Sequence, residues 1–180
     1  RMIAIEQTAN LGGGTIWHLK LLQSIRGLAR ENNIIMHMDG ARLLNAVVAT
    51  GISAANFSST ADTVWIDLSK GLGCPVGGVL AGTKEFIREA WPWKQRLGGS
   101  MRQSGILAAA GIYALDHNVD RLEVDHENAG ILAKGLAQIS GINISEKTVD
   151  TNILLINVEN VKLTATQISS KLQQVGIRIG

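Results

Sequence analysis

Short apolar runs rich in β-formers alternate with runs of helical period from the start of the chain to residue 81. No other feature constrains the fold as strongly. Residues 2–6 read as a strand, followed by a turn-rich loop over 7–15 with three consecutive glycines. Over residues 16–31, Leu19, Leu22, Ile25, Leu28 and Ala29 recur at helical spacing. A second strand over 34–38 ends at Asp39-Gly40, and a helix over 41–49 is closed by Gly51. A short helical turn at 53–56 follows. A strand from Thr63 then runs into Lys70, apolar enough to read as buried, and residues 78–81 form another strand. Units of this kind favour an α/β fold with a mostly parallel sheet.

Beyond residue 81 the pattern loosens. Thr83 caps a helix to about Trp91, which Pro92 ends or kinks. Residues 94–102 read as a loop and 103–117 as a small-residue helix suited to close packing against another backbone. A long helix over 119–140 reads as the link out of the first domain. A strand near 152–158, a helix over 164–175 and a strand from Gly176 suggest the beginning of a second α/β unit. The expected division is residues 1–120 as part of a large domain, 121–140 as a linking helix, and 141–180 as the start of a small domain. Both chain ends read as cut.

In an open α/β sheet, ligand groups gather at the carboxyl ends of the strands. One strand here ends in Asp39-Gly-Ala-Arg42, and another in Ser69-Lys70 before a turn containing Gly71, Gly73, Gly77 and Gly78. A lysine amine can condense with an aldehyde. A carboxylate beside it can hold a protonated pyridine nitrogen, a pairing that suits a pyridinium cofactor acting as electron sink. Each residue also has a plainer reading: Lys70 reaching solvent, Asp39 capping a helix, Arg42 in a surface ion pair. Gly12-Gly-Gly14 lacks the spacing of a dinucleotide loop. His18 and His37 read as a helix start and a strand interior, and Trp65, Trp91 and Trp93 as core or interface residues. The single cysteine, Cys74, rules out an internal disulfide and fits a reducing cytoplasm. The cysteine and histidine pattern gives no metal site. A net charge of +2 with scattered basic residues gives no footprint for nucleic acid. No apolar run approaches the roughly 18 residues of a membrane span, and no signal peptide is read.

Three long motifs carry a resemblance: His37-Met-Asp39-Gly-Ala-Arg42-Leu-Leu-Asn45-Ala, Leu68-Ser-Lys70-Gly-Leu-Gly-Cys-Pro-Val-Gly77, and Gly98-Gly-Ser-Met-Arg102-Gln-Ser-Gly. With Asp116-His-Asn-Val-Asp-Arg121 and Asp150-Thr-Asn152, they resemble the low-specificity L-threonine aldolases. These are pyridoxal-5′-phosphate enzymes of the aspartate-aminotransferase fold type, related to the β-eliminating lyases. The resemblance covers essentially the whole chain. It implies a lyase that cleaves threonine and related β-hydroxy-α-amino acids to glycine and an aldehyde. A β-eliminating lyase or a catalytically incomplete fragment are the alternatives.

The resemblance implies Lys70 as the covalent attachment lysine and Asp39 as partner of the ring nitrogen. Arg42 would lie beside the cofactor, Ser69 near its phosphate, and Thr8 and Glu6 on the cofactor side. Arg102 would reach the site of a neighbouring subunit in a homo-oligomer, a dimer or tetramer. The family's Glu-Asn-Thr-His-Asn motif stands here as Glu6-Gln-Thr8-Ala9-Asn10, with Ala9 in the histidine position. The phosphate loop and the carboxylate-binding arginine of the family would lie upstream and downstream of these residues, so the 180 residues alone are expected to be inactive.

Overall fold

The computed structural model describes residues 1–144, 149–159 and 162–179. Strands β1 (Met2–Glu6), β2 (Ile35–Asp39) and β3 (Thr63–Asp67) run parallel in the order β1-β2-β3, and β4 (Gly78–Ala81) closes the edge antiparallel to β3. Helices α1 (Leu19–Glu31), α2 (Leu43–Thr50) and α3 (Ala54–Ser58) make the parallel crossovers. The mixed α/β class and the mostly parallel sheet are as the alternation requires.

Side chains alternate across a strand, and the register turns that alternation into two unlike faces. Ile3, Ile5, Met36, Met38, Val64 and Ile66 point to one face and pack with Leu22, Ala29, Leu43, Ala46 and Phe57. Met36, Met38, Leu22 and Phe57 are buried to within 1% of complete, so the core lies here. The opposite face carries Glu6, His37, Asp39, Thr63, Trp65 and Asp67. It is only partly covered, with Met2 and Ile35 more than half exposed. The strand into Lys70, expected as buried, is therefore half-buried: of β3, only Thr63 is enclosed.

Element boundaries move where backbone groups find other partners. The first helix begins at Leu19 rather than residue 16. Ile16 N donates to Asp150 Oδ2 at 3.1 Å and Trp17 N to Gln7 Oε1 at 3.0 Å, so these groups are committed outside the helix. Helix α2 begins at Leu43 because Ala41 N donates to Asp39 Oδ1 instead (3.1 Å).

Helix α4 (Lys84–Arg96) runs through Pro92, where an end or kink was expected, and extends into the region expected as loop. Proline removes one backbone donor, and the carbonyl it leaves unpaired belongs to exposed Arg88, where water can satisfy it. Thr83 caps the helix, with Glu85 in the first turn and Lys94 and Arg96 in the last, charges that complement its dipole. Lys94 lies over Trp91 and Arg96 over Trp93, each at 5.1 Å. Helix α5 (Gly105–His117) buries only Gly111 and Ala114, so its small-residue run packs along one narrow edge.

Helix α6 (Leu122–Leu136), shorter at both ends than expected, buries Leu122, Ala129 and Ala133 and lies against α2. Across that contact, buried Asn45 pairs through Nδ2 with His126 Nε2 at 3.0 Å. Burial pushes the His126 imidazole below its ordinary value, against Asp125 and Glu123.

The strand expected near 152–158 is reduced to β6 (Asn157–Val158), paired antiparallel with β5 (Ile142–Asn143). Residues 150–155 instead fold back on the loop after β1. Thr151 Oγ1 donates to Gly14 O at 2.6 Å, and the Leu155 side chain packs against Gly13, its Cγ 3.3 Å from where a Cβ there would stand. Helix α7 (Ala165–Gln174) has a complete capping box at Thr164 and Gln167. Residues 177–179 form no strand, and Gly180 lies outside the described residues.

Candidate active site

The open face of the sheet converges on one edge. The β1–β2 register sets Glu6 beside Asp39, and the β2–β3 register sets Asp39 beside Trp65, with Asp67 two residues further on the same face. Backbone bonds continue past the strands: Gln7 N donates to Asp39 O at 2.7 Å, and Gly40 N to Trp65 O at 2.9 Å. Gly40 is required at that approach, since a Cβ there would stand 2.6 Å from the Trp65 carbonyl oxygen. The carboxyl ends of the three parallel strands thus form one tightly bonded row.

Asp39 caps no helix: the N-cap of α2 is Arg42. One Asp39 oxygen takes the Ala41 N–H, and the other makes no hydrogen bond or ion pair among the described residues. Arg42 makes no ion pair among the described residues. It lines a shallow, water-sized cleft together with Gly40, Asn45, Asp67, Gly71 and Leu122. Strand end, α2, glycine turn and α6 meet there.

Lys70 leaves β3 in a turn pinned by Gly73 N to Lys70 O and Cys74 N to Leu68 O, both 2.9 Å. A Cβ on Gly71 would meet Leu122 Cδ2 at 2.5 Å, so a larger residue there would push the buried Leu122 side chain aside. Cys74 is buried, its Sγ 3.5 Å from the Ala110 carbonyl oxygen of α5. The Lys70 side chain is 38% exposed, with Nζ 3.4 Å from Asp67 Oδ2 and 5.8 Å from the Trp65 ring centroid. Solvent access agrees with the plainer reading of Lys70, but the lysine is not free: it is held by a carboxylate.

Asp67 was not singled out in the sequence reading. Its Oδ1 accepts from Ser69 N at 2.8 Å and Ser69 Oγ at 2.6 Å. Burial raises its carboxyl, yet the bonds from Ser69 and the Lys70 ammonium outweigh burial and hold it below the usual carboxylate range. An Asp two residues before a serine, with lysine next, is an Asx-turn signal. That signal was legible but gave no hint of the ion pair.

Glu6 lies in the same row and accepts Asn10 N at 3.0 Å. Thr8 is buried, and its hydroxyl has no partner among the described residues. Next to it, buried Gln7 bonds both backbone groups of Trp17, fixing the loop after β1. His37 Nδ1 and Thr63 Oγ1 pair at 2.8 Å between strands, a structural role in keeping with the strand-interior reading. Arg102 is exposed in the α4–α5 connection, and no bond among the described residues joins it to the strand ends. The structure therefore groups Glu6, Asp39, Arg42, Ser69 and Lys70 about one edge, with Thr8 in the adjoining loop and Arg102 apart. No group of three metal-ligating side chains occurs among the described residues.

Comparison with known proteins gives a consistent set. The profile of the beta-eliminating lyase family matches residues 1–160. Low-specificity L-threonine aldolase 1 of Arabidopsis thaliana is 38% identical over 98% of this chain and 50% of its own length. The low specificity L-threonine aldolase of Escherichia coli K12 is 43% identical over 88% of this chain and 46% of its own. A solved structure from Listeria monocytogenes, a candidate L-allo-threonine aldolase, superposes with a TM-score of 0.84. It has 27% identity and covers 98% of this chain and 50% of that one. The chain spans about half the length of the curated relatives it matches.

Proposed function

Because the chain belongs to the beta-eliminating lyase family, we propose that the protein is a pyridoxal-phosphate-dependent lyase. It cleaves L-threonine and related β-hydroxy-α-amino acids to glycine and an aldehyde. The observation that carries this reading is the single row of strand ends offering an uncommitted Asp39 oxygen and a solvent-reachable Lys70 amine. Those two groups would hold the cofactor: Asp39 would accept a hydrogen bond from the ring nitrogen and favour its protonated form, and Lys70 would supply the amine that binds the aldehyde carbon. When bound, the cofactor supplies an electron sink for the pair released as the Cα–Cβ bond breaks. Arg42, which lines the cleft, would lie beside the cofactor, with Ser69 near its phosphate and Glu6 and Thr8 on the cofactor side. The unpartnered Thr8 hydroxyl is consistent with a ligand-facing role.

The same reading places Arg102 near the site of a neighbouring subunit in a homo-oligomer. It keeps residues 1–120 as part of the cofactor domain, 121–140 as the linking helix and 141–180 as the start of a small domain. It also places the protein in the cytoplasm. No described helix is long and apolar enough to cross a membrane.

The test is chemical. Protein treated with pyridoxal phosphate is reduced with borohydride and its peptides are mapped. The label is expected on Lys70; a label on Lys84 or Lys94 instead rejects the assignment. The intact gene product given L-threonine should release acetaldehyde and glycine. Pyruvate and ammonia from L-serine in their place would identify a β-eliminating lyase.

A further inference from the structure

We propose that Asp67 is a positioning residue that clasps the Lys70 side chain in an ion pair, restraining its reaction with carbonyl electrophiles until the clasp opens. The inference rests on the reading of Lys70 as the attachment lysine only for its biological meaning; the clasp itself stands on geometry. Both Asp67 oxygens are committed, one to the backbone N–H and hydroxyl of Ser69 and the other to Lys70 Nζ at 3.4 Å. The Ser69 bonds fix the carboxylate within the turn, and the side chain is only 14% exposed. The Trp65 ring, 5.8 Å from Nζ, flanks the same ammonium.

A lysine condenses with an aldehyde only as the neutral amine. The ammonium first gives up a proton to solvent. The nitrogen lone pair then forms the bond to the carbonyl carbon, and the carbonyl oxygen leaves as water. While Nζ is paired with Asp67 Oδ2, 3.4 Å away, it is held at that carboxylate, so the pair has to open before the nitrogen can reach a carbonyl carbon. A ligand that brings its own anionic group to this edge would compete with Asp67 for the ammonium and open the clasp.

The experiment compares the wild-type chain with Asp67→Asn and Asp67→Glu, all without cofactor. Each is exposed briefly to acetic anhydride near neutral pH. Acetylation of Lys70 is read by peptide mass spectrometry against Lys84 and Lys94 in the same sample. Asparagine can still accept from Ser69, so the turn persists. Lys70 in Asp67→Asn should be labelled about twofold to fivefold faster, the range expected of a partly exposed pair. Asp67→Glu should return toward wild type, and Lys84 and Lys94 should not change. An unchanged Lys70 rate in Asp67→Asn, or equal acceleration at all three lysines, overturns the clasp. Pyridoxal phosphate followed by borohydride is run on the same three proteins. If that label maps away from Lys70, the attachment reading falls while the acetylation rates still decide the clasp.

Discussion

The two faces of one sheet were built to different ends. On the closed face, Met36 and Met38 meet Leu22 and Phe57 with essentially no exposure. On the open face, residues one position along the same strands present His37, Asp39, Trp65 and Asp67, each only partly covered. A period of two is the whole device: every residue added to stabilise the sheet alternates with one left free for chemistry. Stability and reactivity are thus separated by the thickness of one backbone. A substitution on one face should scarcely register on the other.

The largest test of that separation is Asp39→Ala in the intact gene product. Losing a charge interaction of about 4 kcal/mol should slow turnover of threonine by about 10³-fold. The unfolding midpoint in urea should move little. A parallel collapse of stability would show that the open face also holds the sheet together.

Leu22→Ala is the converse. Leu22 is completely buried in the closed-face core, and truncating it should cost about 3 kcal/mol of unfolding free energy. The rate of acetylation at Lys70 in the folded protein should remain that of the wild type.

Thr63→Val sits between the two. Thr63 is buried on the open face and pairs with His37 at 2.8 Å. Leaving that imidazole nitrogen unpaired should cost about 1 kcal/mol, read by urea unfolding. A neutral result would mean that water replaces the hydroxyl.

The smallest effect belongs to the clamp between helix and sheet. Arg26 on α1 makes a two-point ion pair with Asp62, whose Oδ2 also accepts Met36 N at 2.8 Å. The Arg26 hydrogen bond holds the Asp62 carboxyl below the usual range. A depressed folded-state value means the contribution is complete above the unfolded carboxyl value, near about pH 4. It is lost as pH falls through the lower folded value. With the Asp62 side chain 36% exposed, the increment should be under about 1 kcal/mol. Unfolding by urea at neutral and acid pH should show it, and Arg26→Gln should flatten that part of the pH profile.

Much of this arrangement was written locally. The alternation of β2 and the helical spacing of α1 are short-range patterns; β1, β2 and β4 came within a residue of their expected places, while β3 began at Thr63 as expected but ended at Asp67, short of Lys70. The turn-closing Gly51 and the cap Thr83 were legible for the same reason, since a cap bonds within its own first turn. Asp39 and Lys70 could be picked out because a strand end is a position that the chain itself marks. Pro92 misled because its cost depends on whether the unpaired carbonyl meets water, which only exposure decides.

The sequence by itself determined the α/β class, the order of the elements through residue 81 and the residues that would stand at the strand ends. The tertiary structure decided which face of the sheet stays open and that Asn45 meets His126 across 81 residues. It also decided that Thr151 returns to Gly14 across 137 residues, converting an expected strand into a strap over the first loop. Periodicity and capping are properties of neighbouring residues. Contacts over such separations depend on the path of the whole chain between them, and no local pattern encodes that path.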